Sequence, residues 1–172
     1  MRAALAELQT NAPPMSAALA AEVIERELGA PPEQLFVEWD PRPIASASIG
    51  QVHKAIVIDP ATGRERAVAV KVQYPGVGEA IEADLRSAEL LGTVLKQGFG
   101  GLDPAEMVAE IKARLVDELD YSLEAANQQR FHEHYADHPF INVPEVLPTF
   151  STRRVLTTEL VNGSTWQEML AW

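Results

Sequence analysis

The sequence predicts an α+β fold in which a small antiparallel sheet packs against long amphipathic helices. Residues 52–58 and 67–73 are rich in valine and isoleucine, and they flank the loop at residues 59–63. That arrangement is typical of an antiparallel hairpin. From Glu79 to Lys96 the apolar residues recur instead at the spacing of one helix face.

The overall composition is that of one globular domain or one large lobe. Of the 172 residues, 47% are hydrophobic and 23% are charged, which is enough apolar material for a core. The net charge of −11 repels phosphate backbones and therefore argues against nucleic acid as a partner. The chain has no cysteine, so it has no disulfide or thiolate site. That is compatible with a reducing compartment, and the expected location is cytoplasmic. No apolar run approaches the ~20 residues of a membrane span.

Residues 1–34 are interpreted as an N-terminal helical extension. Met1–Leu8 has a helical pattern that ends before the prolines at 13 and 14, and it does not resemble a signal peptide. Ser16 can cap a second helix, and Gly29 marks its end. Residues 34–39 are ambiguous between helix and strand.

Residues 35–163 are expected to form the main unit. In its second hairpin strand one face carries only valine and the other carries alanine and lysine: Val68, Val70 and Val72 against Ala67, Ala69 and Lys71. A strong helix start at Asp103 predicts a helix that continues to about Tyr135. Residues 143–150 and 153–161 are predicted to form a second hairpin, and residues 164–172 to begin a further lobe.

Two motifs in the strand region suggest nucleotide chemistry. Ala45–Val52 has the spacing of a kinase glycine-rich loop, with alanine in the first two glycine positions. Taken alone, small residues before a strand more often form a plain turn. Lys71 ends a Val-Ala-Val-Lys run close to the kinase VAIK motif, and a lysine in so apolar a strand requires an anion. The two motifs together favour the functional interpretation over an exposed strand lysine.

Two further motifs fit the same chemistry. Asp120 and Glu124 are four residues apart on the long predicted helix and share a face. Kinases need one helical glutamate to position the phosphate lysine, although such an acidic run is usually a solvated face. Residues 155–163 predict a strand that leads through Asn162 into a capped helix, as in a kinase hinge.

The histidines do not predict a metal site. His132, Glu133, His134 and His138 resemble metal ligands, and His134 and His138 are four residues apart on a possible helix. No third ligand is evident near that pair, and Pro139 marks the helix end. His53 is expected to be a packing residue within its strand.

Taken in order, these motifs resemble the UbiB/AarF family of atypical protein-kinase-like proteins. The resemblance covers nearly the whole chain, through residues 8–14, 27–30, 43–53, 68–77, 118–127 and 155–163. The alanine-rich loop and the Glu-x-Asp-Tyr-x-x-Glu-Ala-x-Asn block are its specific parts. It implies a protein-kinase-like N-terminal lobe with a five-stranded sheet.

The resemblance also implies roles for individual residues. Lys71 resembles the phosphate lysine, Glu124 its helical partner, and Glu118 with Asp120 the Glu-x-Asp pair that faces the active site. The other nucleotide-binding residues implied are the loop residues Ala45, Ser46, Ala47 and Ser48, the adenine-packing Ala69, and the hinge residues Glu159, Leu160 and Val161. The family binds ATP with Mg²⁺, supports ubiquinone or other prenyl-lipid metabolism, and is often associated with membranes at the periphery.

The 172 residues depart from the family pattern in one serious respect. They contain no catalytic-loop aspartate, no metal-binding asparagine and no Asp-Phe-Gly segment, so the Mg²⁺ ligands are expected outside this chain. We therefore expect the chain to require a C-terminal lobe as partner and to be inactive alone. The alternatives are a non-catalytic, kinase-like interaction module and a gene fragment.

Overall fold

The computed structural model describes residues 15–60, 62–98, 104–164 and 166–169. These residues form a four-stranded antiparallel sheet with helices packed against it, which confirms the α+β prediction. In chain order the elements are α1 (Ala17–Leu28), α2 (Pro32–Leu35), β1 (Glu38–Ser46), β2 (Gly50–Ile58), β3 (Glu65–Gln73), α3 (Val77–Gly98), α4 (Pro104–Glu118), α5 (Tyr121–His134), β4 (Val155–Glu159) and α6 (Trp166–Met169). The predicted helix Met1–Leu8 lies outside the described residues.

Helix α1 begins and ends where its capping residues predict. The Ser16 hydroxyl accepts a hydrogen bond from the Leu19 amide at 3.3 Å. Gly29 ends the helix with a φ of 84°, a left-handed conformation that glycine adopts without steric cost. The buried face of the helix, which includes Val23 and Ile24, packs on the sheet.

The sheet has the strand order β1-β2-β3-β4, and all its pairs are antiparallel. The predicted β2–β3 hairpin is confirmed, with pairs running from Gly50 opposite Gln73 to Ile58 opposite Glu65. The ambiguous stretch at residues 34–39 is divided between the end of α2 and the start of β1. Strands β2 and β3 are the two inner strands, and β3 pairs with both β2 and β4.

The second predicted hairpin is present only as a short antiparallel contact between residues 145–147 and 157–159. Strand β4 pairs with β3, and the segment before it contributes one isolated bridge, between Val146 and Thr158, and a 3₁₀ turn at Pro148–Phe150. Pro144 and Pro148 have no amide hydrogen to donate to a ladder, which explains why residues 143–150 do not form a strand. The described residues therefore contain four strands, where the resemblance implied five.

The long helix predicted from Asp103 to Tyr135 is wrong, because it is two helices. Helix α4 ends at Glu118 and α5 begins at Tyr121, with Leu119 and Asp120 between them. The Asp120 carboxylate accepts a hydrogen bond from the Ser122 amide at 2.9 Å and so caps the second helix.

The core lies between the sheet and α1. The three valines predicted to share a face of β3 are each 0% exposed: Val68, Val70 and Val72. They pack with residues of α1, β2 and β4 in one cluster. Because alternate residues of a strand point to opposite faces, Lys71 is directed to the other side of the sheet. No helix among the described residues is long and apolar enough to cross a membrane.

Candidate functional site

Lys71 lies at the centre of the sheet, on the face away from the valine core. Its backbone is opposite Val52 of β2 and Leu156 of β4, so the strand cannot shift without breaking two ladders. Its side chain is 23% exposed. The position leaves the ammonium group partly desolvated, and a partly desolvated charge requires a partner.

Glu124 supplies that partner from the first turn of α5. The Lys71 Nζ donates to both carboxylate oxygens, at 2.9 Å to Oε1 and 2.7 Å to Oε2. The two residues are 53 positions apart in the sequence, so the contact depends on the docking of α5 against the sheet. The pair considered from the sequence is thus present as a two-oxygen ion pair.

The Tyr121 ring lies beneath this ion pair, a contact that the sequence analysis did not predict. The Lys71 Nζ lies 4.5 Å from the centre of the Tyr121 ring, within the range of a cation–π interaction. Tyr121 is 1% exposed. Burial, reinforced by the nearby charge of Glu124, raises the pKa of the Tyr121 phenol, which therefore stays neutral.

An open cleft of about 760 Å³ lies in front of the ion pair. The described residues that line it come from β3, from the end of α4, from the α4–α5 junction and from α5: Lys71, Asp117, Glu118, Asp120, Leu123, Glu124, Asn127 and Gln128. Four of these carry carboxylates and one carries an ammonium group. The cleft is therefore acidic around a single cation.

The structure brings Glu118 and Asp120 to this cleft but gives them different surroundings. Glu118 is the last residue of α4 and is exposed. Asp120 caps α5 with one carboxylate oxygen, and its other oxygen lies 3.4 Å from the Arg153 Nε. The Asp120 carboxylate therefore holds the α4–α5 junction together, while the Glu118 carboxylate faces solvent.

The four predicted loop residues lie at the tip of the β1–β2 hairpin. Ala45 and Ser46 end β1, and Ser48 lies in the turn before Gly50 begins β2. The Ala47 amide donates to the Gly50 carbonyl at 2.8 Å. The segment is a tight hairpin turn at the end of the strand next to β3.

Gly50 has a packing requirement that the loop pattern does not reveal. A Cβ atom on Gly50 would overlap the backbone carbonyl oxygen of Val72 and would lie 2.7 Å from the Tyr121 hydroxyl. Both are closer than real Cβ contacts, so a larger residue forces a shift. Glycine at this position is required by the close approach of the Val72 carbonyl of β3 and of the Tyr121 hydroxyl.

Ala69 lies on the same face of β3 as Lys71, and the predicted hinge residues lie at the end of the neighbouring strand β4. Ala69 is two residues from Lys71 on β3 and lies opposite Thr158 of β4. The Glu159 amide donates to the Glu145 carbonyl at 2.8 Å, and the Leu160 amide donates to the Ala67 carbonyl at 3.1 Å. These two amides are therefore already engaged within the fold.

Arg66, near the start of β3, forms ion pairs around the end of β4. Its guanidinium lies 2.7 Å from the Glu145 carboxylate, 3.6 Å from that of Glu159 and 3.7 Å from that of Asp59. Burial opposes the charged form, but the hydrogen bond to Glu145 and the surrounding acids raise the pKa of Arg66 overall. The Glu159 side chain is thus part of a structural ion-pair network.

His53 is a buried packing residue, as predicted. It is 0% exposed, stacks on Trp39 at 4.5 Å and donates from Nδ1 to the Asp40 carbonyl at 2.9 Å, since a carbonyl can only accept. Its Nε2 then accepts from the Gln51 side chain at 2.9 Å. Gln51 in turn exchanges two hydrogen bonds with the Met15 backbone. Burial lowers the pKa of His53, against the opposing effect of the Asp40 contact.

His132 and His138 have hydrogen-bond partners within the fold. The His132 Nδ1 donates to the Val143 carbonyl at 2.7 Å. The His138 Nδ1 accepts from the amides of Phe140 and Ile141. Within the described part of the chain, no group of three or more His, Cys, Asp or Glu side chains could hold a metal ion.

Comparison with known families gives a match over nearly the whole chain. Residues 7–171 match the model of the ABC1 atypical kinase-like domain. Among curated proteins, the chain is 39% identical over 169 residues to the protein named ACTIVITY OF BC1 COMPLEX KINASE 3, chloroplastic, of Arabidopsis thaliana. It is 35% identical over 166 residues to a probable protein kinase UbiB of Marinobacter nauticus, and 46% identical over 133 residues to the atypical kinase coq-8, mitochondrial, of Caenorhabditis elegans.

These relatives are much longer than the chain. The matches cover 97%, 95% and 74% of this chain but 23%, 29% and 16% of the respective relatives. Among solved structures, a complex of Rv3197 with erythromycin from Mycobacterium tuberculosis superposes with a TM-score of 0.79 at 43% identity. That alignment covers 99% of this chain and 41% of the other, which is consistent with an N-terminal, lobe-like part of a kinase-like fold.

Proposed function

We propose, from the premise that this chain belongs to the ABC1 atypical kinase-like domain family, that it binds ATP in the cleft in front of Lys71. The ion pair between Lys71 and Glu124 carries this proposal. Glu124 holds the ammonium group at the cleft with two short hydrogen bonds. In kinases the equivalent pair places the lysine on the α- and β-phosphates.

The hairpin turn at residues 45–48 would cover the phosphates. Its alanine methyl groups keep the backbone farther from a ligand than glycine would, so the turn is proposed to cover the nucleotide with an altered grip. Ala69 would pack against adenine on the same face of the sheet as Lys71.

The hydrogen bonding at the hinge narrows which backbone groups can serve adenine. The amides of Glu159 and Leu160 donate to carbonyls of the fold. Within the described residues, the Val161 amide makes no backbone hydrogen bond. We therefore propose that the Val161 amide donates a hydrogen bond to adenine and that the Glu159 carbonyl accepts one from it.

The charge of the cleft bears on the form of the nucleotide. Four carboxylates and one ammonium group are found among the described residues that line the cleft, so ATP without a bound cation meets net electrostatic repulsion there. Mg²⁺, when bound, would neutralise phosphate charge, and its ligands are expected outside this chain. Glu118, exposed at the end of α4, is a lining carboxylate that is proposed to face the metal–nucleotide complex.

For the complete protein, the same proposal extends to kinase or ATPase activity with a C-terminal lobe. The link to ubiquinone or other prenyl-lipid metabolism, and peripheral association with membranes, belong to this wider proposal. They rest on the family resemblance and on no contact in this chain.

A double-mutant cycle on nucleotide affinity tests the site. Lys71→Ala should raise the Kd for Mg·ATP about ten-fold or more, because hydrogen bonds to charged groups contribute about 1.5–3 kcal/mol. Glu124→Ala should act through the same lysine, so the double variant should lose less than the sum of the single losses. Titration of the four proteins by calorimetry or fluorescent-nucleotide displacement gives the coupling.

Matched controls remove the same charges elsewhere. The controls are Lys112→Ala, at an exposed position of α4, and Glu133→Ala, at an exposed position of α5, the helix that also carries Glu124. Both should leave the Kd within about two-fold. Affinity that is unchanged by Lys71→Ala, or strictly additive losses in the cycle, would overturn the assignment.

A further inference from the structure

Tyr121 owes its inward position to the break between α4 and α5. It is the first residue of α5, directly after the capping residue Asp120. Its own amide donates to the Arg153 carbonyl at 3.0 Å, so its backbone is bound to the segment before β4. A continuous helix would carry this side chain in a different direction, because each residue turns the helix by about 100°.

The Tyr121 ring is buried among apolar side chains of the fold. It is 1% exposed and packs in a cluster with Val146 and Leu156, against Ile49 and Ala125. Its hydroxyl lies 2.7 Å from the position that a Cβ on Gly50 would occupy. A ring held this tightly cannot move away from the side chain above it.

The side chain above it is Lys71. The ammonium nitrogen lies 4.5 Å from the ring centre, while the Glu124 carboxylate, one helical turn after Tyr121, contacts the same nitrogen. The cleft also contains the acids Asp117 and Glu118. A flexible lysine in such a cleft could pair with several carboxylates, and the ring face selects one location for the charge.

We propose that Tyr121 is a positioning residue that fixes the Lys71 ammonium group, with the π face of its ring, at the place where it meets the nucleotide phosphates. This rests on the proposed function of Lys71. The contribution belongs to the ring and not to the hydroxyl, which is buried and has no hydrogen-bond partner within the described residues. The tyrosine acts through the lysine and does not itself contact the nucleotide.

The electron density of the ring provides the sharpest test. The chain is produced with phenylalanine at position 121 and then with mono-, di- and trifluorinated phenylalanine, which keep the shape but weaken the π face. Tyr121→Phe should leave the Kd for Mg·ATP within about two-fold. Fluorination should weaken binding stepwise, reaching about three- to thirty-fold, the range of a partly desolvated cation–π contact.

A purely structural role is excluded by repeating the series in the Lys71→Ala background. There the Kd should no longer respond to fluorination. An affinity that ignores fluorination in the parent chain, or responds equally without Lys71, would overturn the proposal. Tyr121→Leu is the coarser variant, and the fluorinated series remains available where that substitution fails to fold.

A second readout separates this proposal from the function of the site. The chain has four lysines, so isotopic labelling of lysine gives few side-chain signals. In the chain without nucleotide, the ring current should shift the Lys71 ε-methylene resonance upfield, and Tyr121→Leu should abolish that shift. If Tyr121→Leu abolishes the shift but the parent chain shows no measurable ATP binding, the proposed function is rejected and the positioning contact is kept. An unshifted Lys71 signal in the parent chain would reject the contact.

Discussion

Replacing Gly50 by alanine should destabilise the protein even when no nucleotide is present. The added Cβ would overlap the Val72 carbonyl oxygen and lie 2.7 Å from the Tyr121 hydroxyl. The carbonyl belongs to the backbone of β3, and Tyr121 is 1% exposed, so neither neighbour can move cheaply. Overpacking of this kind costs roughly 1–3 kcal/mol of unfolding free energy.

Urea denaturation measures this cost through the midpoint of unfolding at constant slope. Gly163→Ala is the matched control, because a Cβ there would meet nothing within 4 Å, and we expect a change within about 0.5 kcal/mol. Combining Gly50→Ala with Tyr121→Phe removes one of the two close contacts and should restore part of the loss.

The opposing hypothesis is that Gly50 serves only the approach of phosphate to the loop. It predicts normal stability for Gly50→Ala and a defect confined to nucleotide affinity. An unfolding free energy within 0.5 kcal/mol of the parent chain would therefore refute the packing argument.

Two further predictions concern buried and capping groups. Burial lowers the pKa of His53 below the value of about 6.5 that it has in the unfolded chain. Just below pH 6.5 the unfolded chain therefore binds more protons than the folded one. The stability that neutral His53 contributes is complete above this pH window and is lost as the pH falls through it. Denaturation midpoints at several pH values should show this loss, His53→Gln should flatten it, and exposed His134→Gln should not. Asp120→Ala should cost about 0.5–2 kcal/mol by removing the α5 cap, whereas exposed Asp117→Ala should change the denaturation midpoint little; equal effects would contradict the capping role.

The sequence alone determined the parts of the fold whose signals are local. The alternation of valine with alanine and lysine predicted both the β2–β3 hairpin and the face on which Lys71 lies, because a strand has a period of two. Ser16 and Gly29 predicted both ends of α1, since capping depends on the residue at the cap itself. The Lys71–Glu124 pair was considered because the motifs resembled a known family, and the residues alone left a solvated acidic face open.

The tertiary structure decided the features that depend on distant partners. No glycine or proline interrupts residues 115–125, so the helix pattern continues there, yet the helix breaks at Leu119 and Asp120. The backbone groups at the break are satisfied from elsewhere: the Gln73 side chain donates to the Leu119 carbonyl at 3.0 Å, and the Tyr121 amide donates to the Arg153 carbonyl. Hydrogen bonds over such separations offset the lost helical ones, and no local pattern encodes them.

The same break explains why the role of Tyr121 was missed. In the sequence it is one residue of an acidic helical block, and its inward position follows from the turn that precedes it. Strand β4 is a second case, since its full ladder is with β3, whereas the segment just before it in sequence contributes only one isolated bridge. The residue types of the candidate site were therefore readable in the sequence, whereas the distances that join Lys71, Glu124 and Tyr121 arise only when α5 docks on the sheet.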